Sequence, residues 1–141
     1  MINAYYLYYF SNLLFKLKIP IIPKIVKLFI FLIYNSSIPY QCVIGKGTRF
    51  AYGGIGVIIH KDSVIKENVL IGSGVVIGGK EGSVNVPIIG NNVKIATGAK
   101  ILGDISIGDN VIIGANAVVL KSIPDNAVVA GIPAKIIKYL K

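Results

Sequence analysis

A chain of 141 residues suffices for one domain with its own core and is too short for two ordinary ones. Hydrophobic residues make up 54% of it without a single Trp, and Ile and Val supply most of that mass, a composition that favours many short strands over helices. The only cysteine, Cys42, excludes an intrachain disulfide and a cysteine-based zinc site, and it suits a reducing, cytoplasmic setting.

The formal charge of +9 is concentrated at the front: residues 1–61 carry +7, with no acidic residue before Asp62, and the remainder carries +2. A basic, apolar front half points to an anionic partner such as membrane lipid or a phosphorylated small molecule. Nucleic acid is not expected, because Arg49 is the only arginine and no recognisable nucleic-acid-binding motif is present.

In chain order, residues 2–17 and 24–34 read as two helices separated by Ile19-Pro20-Ile21-Ile22-Pro23. Neither a secretory signal nor a membrane span is expected there. Pro20, Pro23, Lys24 and Lys27 interrupt the apolar run, and the stretch Leu28 to Tyr34 falls far short of the roughly 20 residues a span needs. Lys24 and Lys27 share a helical face, which suits a segment lying on a membrane surface at the inner face of the cell membrane. Packing of the same helices on the rest of the domain, or on a neighbouring subunit, is the equal alternative.

Val43-Ile44-Gly45-Lys46-Gly47-Thr48 looks like a first six-residue unit, out of phase with the later ones, so Arg49 to Gly56 must absorb the mismatch as an irregular turn. From Ile59 the period holds. Ile59, Ile65, Ile71, Ile77, then Ile89, Ile95, Ile101, Ile107, Ile113 and Val119 share one phase. Four residues after these come Ser63, Val69, Val75, Val93, Ala99, Ile105, Val111, Ala117 and Ile123. Each unit is a short strand plus a turn, and three units close a triangular coil whose lead aliphatics stack inward. Gly after the lead position is expected to relieve backbone strain at the turn, and Asn91-Asn92, Asp109-Asn110 and Asn116 add turn chemistry.

Between Ile77 and Ile89 the segment from Gly78 to Pro87 is polar and Gly-rich, which reads as a loop extruded in place of one unit. After Ile123, two prolines and Gly131 break the rhythm. The chain thus divides into a helical segment, 1–41, and a hexapeptide-repeat domain, 42–137, with the extruded loop at 78–88. An open solenoid end would expose core, so the helices are expected to cap it.

The chemistry-bearing residues are few. His60, the only histidine, follows Ile59 at a turn position, so its side chain should face outward near a corner. A neutral imidazole there can take a proton from a hydroxyl, although an ordinary exposed histidine is an equal reading. Lys100, Lys121 and Lys135 could meet phosphate groups as point charges. A metal site is not expected, since three-histidine chemistry would need ligands from symmetry copies.

The run IGDNVIIGANAVVLKSIPDNAVVAGIPAKII at 107–137, with IATGAKILGDISIG at 95–108, resembles the hexapeptide-repeat acyltransferases, nearest their serine acetyltransferase-like branch. The segment FAYGGIGVIIH at 50–60 resembles members found among surface-polysaccharide biosynthesis enzymes. The resemblance implies a mainly β fold, a left-handed parallel β-helix with a short N-terminal helical segment. It also implies a homotrimer with acetyl-CoA, a co-substrate rather than a permanent cofactor, in the groove between subunits. His60 then matches the catalytic base. Gly78, Gly79, Ala96 and Gly114 would line the pantetheine arm, and Lys121 and Lys135 would face the CoA phosphates.

The branch carries an Asp-His pair where this chain has Tyr52-Gly53, and Arg-His before the loop proline where it has Asn85-Val86. Serine needs a buried cation and anion to pair its ends, so a sugar hydroxyl is the expected acceptor, with Tyr52 offering an aromatic face. The expected function is therefore an acetyl-CoA-dependent O-acetyltransferase acting on a surface-polysaccharide sugar. Serine O-acetylation is the alternative, and a non-catalytic assembly or binding solenoid is the alternative of another class.

Overall fold

The computed structural model describes residues 2–141. Two helices, α1 (Ala4–Lys16) and α2 (Ile22–Tyr34), precede a run of short strands wound into a parallel β-helix with three faces. Face I stacks β1 (Val43–Ile44), β4 (Val64–Ile65), β7 (Ile88–Ile89) and β10 (Ser106–Ile107). Face II stacks β2 (Arg49–Phe50), β5 (Leu70–Ile71), β8 (Lys94–Ile95), β11 (Ile112–Ile113) and β13 (Ala127–Ala130). Face III stacks β3 (Ile58–Ile59), β6 (Val76–Gly78), β9 (Lys100–Leu102) and β12 (Val118–Val119). A last strand, β14 (Lys135–Tyr139), returns antiparallel along β13. The expected architecture, a left-handed parallel β-helix led by a short helical segment, is the fold of this chain.

The registers explain the sequence period. Ile59, Ile77, Ile101 and Val119 stack in line on face III, and Ile44, Ile65, Ile89 and Ile107 do so on face I. All are buried, so one aliphatic per six residues suffices for a continuous core. Face II is led by Phe50, opposite Ile71. Phe50 is therefore the second lead residue, and the turn Ala51–Gly54, a 3₁₀ segment, absorbs the phase mismatch before Ile59.

Two expectations change. The loop after Gly78 does not replace a unit. The strand before it lies on face III and the strand after it on face I, as at every other such corner, so six residues are added and no face is skipped. Phase survives because the addition equals the period. Nor does the glycine after a lead aliphatic relieve a strained turn. A Cβ at Gly72 would come within 2.5 Å of the Thr97 backbone nitrogen, so coil-to-coil proximity demands glycine there. The left-handed backbone lies elsewhere, at Asn68, Asn92, Asn110 and Asn126 along one corner and at Gly74, Gly98 and Asn116 along another. Asn110 Nδ2 donates to Asn126 Oδ1 at 3.0 Å, so the first row is also a hydrogen-bonded ladder.

Helix α2 starts ahead of its proline, at Ile22 rather than at Lys24, because a proline in the first turn forfeits no intrahelical bond. The helices form an antiparallel hairpin, in which the Tyr34 hydroxyl donates to the Ile2 carbonyl and Ser11 Oγ to the Pro23 carbonyl. One face of the hairpin, with Tyr8, Val26 and Ile30, is buried against the first coil. No described helix is long and apolar enough to cross a membrane.

Candidate functional site

His60 sits at the corner between faces III and I, one residue past β3, and its side chain is partly exposed, as its turn position implies. Its amide donates to the Ile77 carbonyl at 2.8 Å, which sets it beside Gly78 on the next coil. Its Nδ1 accepts a hydrogen bond from the Asp62 backbone N–H at 3.2 Å and lies 3.8 Å from Asp62 Oδ2. With Nδ1 accepting, the proton of the neutral ring sits on Nε2. The other tautomer directs Nδ1–H toward the Asp62 carboxylate and frees the Nε2 lone pair.

Asp62 is the residue that sequence reasoning missed. Its signal is the His-x-Asp spacing, which on a β-helix corner turns both side chains the same way.

The 79–87 loop leaves from Gly78 at this same corner and runs along face I, held by Asn85 Nδ2 donating to Asp104 Oδ2 at 3.2 Å. Between loop and face lies a groove of about 470 Å³. It is lined by Asp62, Asn85, Asp104 and Ser106 among the apolar Val64, Val84, Val86, Ile88 and Ile105. Two carboxylates, an amide and a hydroxyl thus converge one residue beyond the His60–Lys61 step.

The other expected site residues fall into separate places. Gly78 and Gly79 share the His60 corner. Ala96 and Gly114 lie on consecutive coils of the opposite edge of face III, with amides bonded to the Ile113 and Val129 carbonyls at 2.9 and 2.8 Å. Tyr52 also belongs to that opposite edge, in the turn leading into β3, with a left-handed backbone (φ 52°) and 76% exposure. Within one chain it does not meet His60. Lys121 and Lys135 do come together, lining a groove of about 310 Å³ with Leu120, Pro133 and Ala134. Lys100 is committed to the fold: its ammonium donates to the carbonyls of Gly98 at 2.6 Å and Gly74 at 3.3 Å.

Comparison with known proteins adds to this geometry. Residues 87–121 match the family model described as bacterial transferase hexapeptide (six repeats). A serine acetyltransferase of Synechococcus elongatus is 36% identical over 129 residues, covering 90% of this chain and 52% of that protein. One from Staphylococcus aureus (strain Mu50) is 52% identical over 87 residues, covering 60% of this chain and 41% of its own length. Among solved structures, serine acetyltransferase from Brucella abortus strain S19 in complex with coenzyme A superposes with a TM-score of 0.92 at 32% identity, covering 98% of this chain and 56% of that one. A serine acetyltransferase in complex with cysteine gives a TM-score of 0.88 at 34% identity, covering 98% and 54%. The chain spans about half the length of the relatives it matches, or less.

Proposed function

This chain belongs to the hexapeptide-repeat transferase family, in its serine acetyltransferase-like branch, and on that premise we propose that it is an acetyl-CoA-dependent O-acetyltransferase. The observation that carries the reading is the outward-facing His60 beside Asp62, which itself lines the groove beneath the 79–87 loop. In the tautomer that carries the proton on Nδ1, which gives up the hydrogen bond accepted from the Asp62 N–H, Nε2 takes the proton of an acceptor hydroxyl as its oxygen attacks the acetyl carbonyl carbon. A backbone N–H of the Gly78-Gly79 segment steadies the oxyanion. Collapse breaks the carbon–sulfur bond, and the imidazolium returns its proton to the departing CoA thiolate.

The pantetheine arm is taken to run past Gly78 and Gly79 on one side and Ala96 and Gly114 on the other. These pairs occupy opposite edges of face III, so a thioester touching both needs two copies set edge to edge. A homotrimer supplies such edges, and it would also carry Tyr52 of one copy toward His60 of the next. The Lys121–Lys135 groove suits the CoA phosphates, which two ammonium groups can meet as point charges.

L-serine is the leading acceptor, because the relatives are serine acetyltransferases. A sugar hydroxyl remains as a second reading on one observation. The groove lining holds Asp62, Asp104, Asn85 and Ser106 but no lysine or arginine. It can pair an ammonium or a set of hydroxyls, whereas the carboxylate of serine would find no cation in it.

The test is thiol release from acetyl-CoA with L-serine and, side by side, nucleotide- or lipid-linked sugars. Acceptor-dependent release is expected. It should fall by roughly two to four orders of magnitude in His60→Ala, with unchanged melting temperature and CoA binding. Turnover of serine alone assigns the first acceptor, and turnover of sugar alone the second. No turnover and no CoA binding would leave a non-catalytic solenoid.

A further inference from the structure

The helical hairpin buries one face and leaves the opposite one apolar. On α1, Tyr6, Phe10 and Leu13 lie opposite the buried Ala4, Tyr8 and Ser11 and are 44–68% exposed. On α2, Ile25 and Leu32 lie opposite the buried Val26, Ile30 and Tyr34, Phe29 lies on the flank between, and the three are 45–66% exposed. Both stripes point away from the buried residues of their own helices. Exposed apolar stripes of this kind are rare on a protein face that meets only water.

At the turn between the helices lies a groove of about 560 Å³, on the side of Phe15, which shares the helical phase of the buried Ala4, Tyr8 and Ser11. Its floor is Phe15, Ile19, Pro20, Pro23 and Tyr40, and its rim is Lys16, Lys18 and Lys24. The Phe15 and Tyr40 rings pack with centroids 5.0 Å apart, and the Tyr40 carbonyl accepts from Asn12 Nδ2 at 2.8 Å, so the floor is fixed by the fold.

We propose that the outer face of the hairpin docks on an anionic phospholipid bilayer, with the apolar stripes in the acyl boundary and Lys16, Lys18 and Lys24, at the turn between the helices, against lipid phosphate. Charge selects this occupant. The hairpin carries four lysines and no acid, so a second copy of the same face would set lysine against lysine with no carboxylate between them. An anionic surface meets all of them. Each helix has 13 residues, about 20 Å, which is too short to span and suited to lying in the plane of the interface. The inference stands independently of acetyl transfer.

Flotation of the full chain with vesicles tests it, comparing phosphatidylcholine alone with phosphatidylcholine mixed with phosphatidylglycerol. Binding is expected only to the anionic vesicles, weakening as salt is raised. Charge reversal at Lys16→Glu, Lys18→Glu and Lys24→Glu should lower partitioning by roughly a hundredfold or more, since each lysine near the surface is worth about fivefold. Phe29→Asn should also lower it. These positions are exposed, and an unchanged circular dichroism spectrum will show that the variants are folded. Failure to float, or equal flotation with neutral vesicles, overturns the proposal. So does sedimentation equilibrium in which Phe29→Asn, without vesicles, converts a larger assembly into a smaller one, because a second copy then occupies the face.

Discussion

The coils and the helical hairpin solve the same problem in opposite ways. Inside the β-helix, every lead aliphatic is stacked on its equivalents, and almost every backbone group pairs with the coil above or below. Repetition supplies both packing and polar satisfaction there, so no single residue is specific. The first coil has no coil beneath it, and side chains of α1 take over. Asn3 Nδ2 donates to the Phe50 carbonyl at 2.7 Å, and the Tyr5 hydroxyl to the Gly45 carbonyl at 3.2 Å. The buried Tyr8 hydroxyl donates to the Cys42 carbonyl at 2.6 Å and accepts from the Ile44 amide at 3.1 Å. An interior built by periodicity should tolerate changes that respect shape, whereas an end built by individual bonds should respond to the loss of one atom.

The severest way to break the comparison is to put charge into the stack. Ile101 lies between Ile77 and Val119 with no exposed surface. Ile101→Asp would bury a carboxylate among aliphatics with no cation in reach, and the chain should not fold. Ile101→Ala should fold but lose roughly 2–5 kcal/mol, read from urea midpoints. A stable, soluble Ile101→Asp protein would show that the lead positions do not face inward.

At the other end, a single oxygen matters. Tyr8→Phe keeps the ring but leaves the Cys42 carbonyl and the Ile44 amide without their partner, at a cost of about 1–3 kcal/mol for each buried group. Tyr9→Phe, on the exposed side of the same helix, should change the urea midpoint hardly at all. Equal effects from the two substitutions would mean that the hairpin is held by its apolar contacts alone.

This contrast also explains what could be read from the sequence. The coils were legible because ten aliphatics in one phase have a single geometric meaning. The cap was legible only as two helices, since nothing in the spacing of Asn3, Tyr5, Tyr8 and Asn12 shows which carbonyls of residues 40–50 they reach. Phe50 escaped notice as a lead residue because the Ala51–Gly54 turn shifts the phase just after it. Of the site, the outward placement of His60 followed from its position after Ile59. Its neighbour Asp62 and the groove did not, because they depend on the path of the 79–87 loop, which has no period. Lys121 and Lys135 line one groove through the fold-back after Pro133, which their separation in the sequence does not show.

The seam between the two regions is sensitive to pH. Burial pushes the Cys42 thiol up to about 12 from an ordinary 9.0, and burial likewise raises Tyr8 above 10.0. A group whose pKa is higher in the folded state contributes stability fully below its unfolded pKa and loses it as pH climbs toward the folded one. Stability should therefore hold level up to about pH 9 and decline above it, more steeply past 10 as Tyr8 joins. Cys42→Ala should flatten the first part of that decline in urea titrations at stepped pH. In the same range, native Cys42 should resist a thiol reagent that modifies it quickly in urea, because the Sγ is buried and donates to the Pro39 carbonyl.

The smallest effect expected has the opposite sign, and it tests the claim that repetition suffices inside the coils. Three hydroxyls are buried along the interior corners. Ser36 Oγ accepts from the Val57 amide, and Thr48 Oγ1 accepts from the Val69 amide at 3.1 Å while donating to the Lys66 carbonyl at 3.1 Å. Both serve the first coil, where the backbone needs side-chain partners. Ser63 is one coil further in, completely buried, and its Oγ has no hydrogen-bond partner. Its backbone is already satisfied, since its amide donates to the His60 carbonyl and its carbonyl accepts from Val43. Removing the hydroxyl therefore strands no other group and relieves an unpaired polar atom. Ser63→Ala should raise stability by about 1 kcal/mol, whereas Thr48→Val, which leaves two backbone partners bare, should lower it by a similar amount or more. A loss of stability in Ser63→Ala would show that this oxygen has a role in the coil and that the interior is less generic than its period implies.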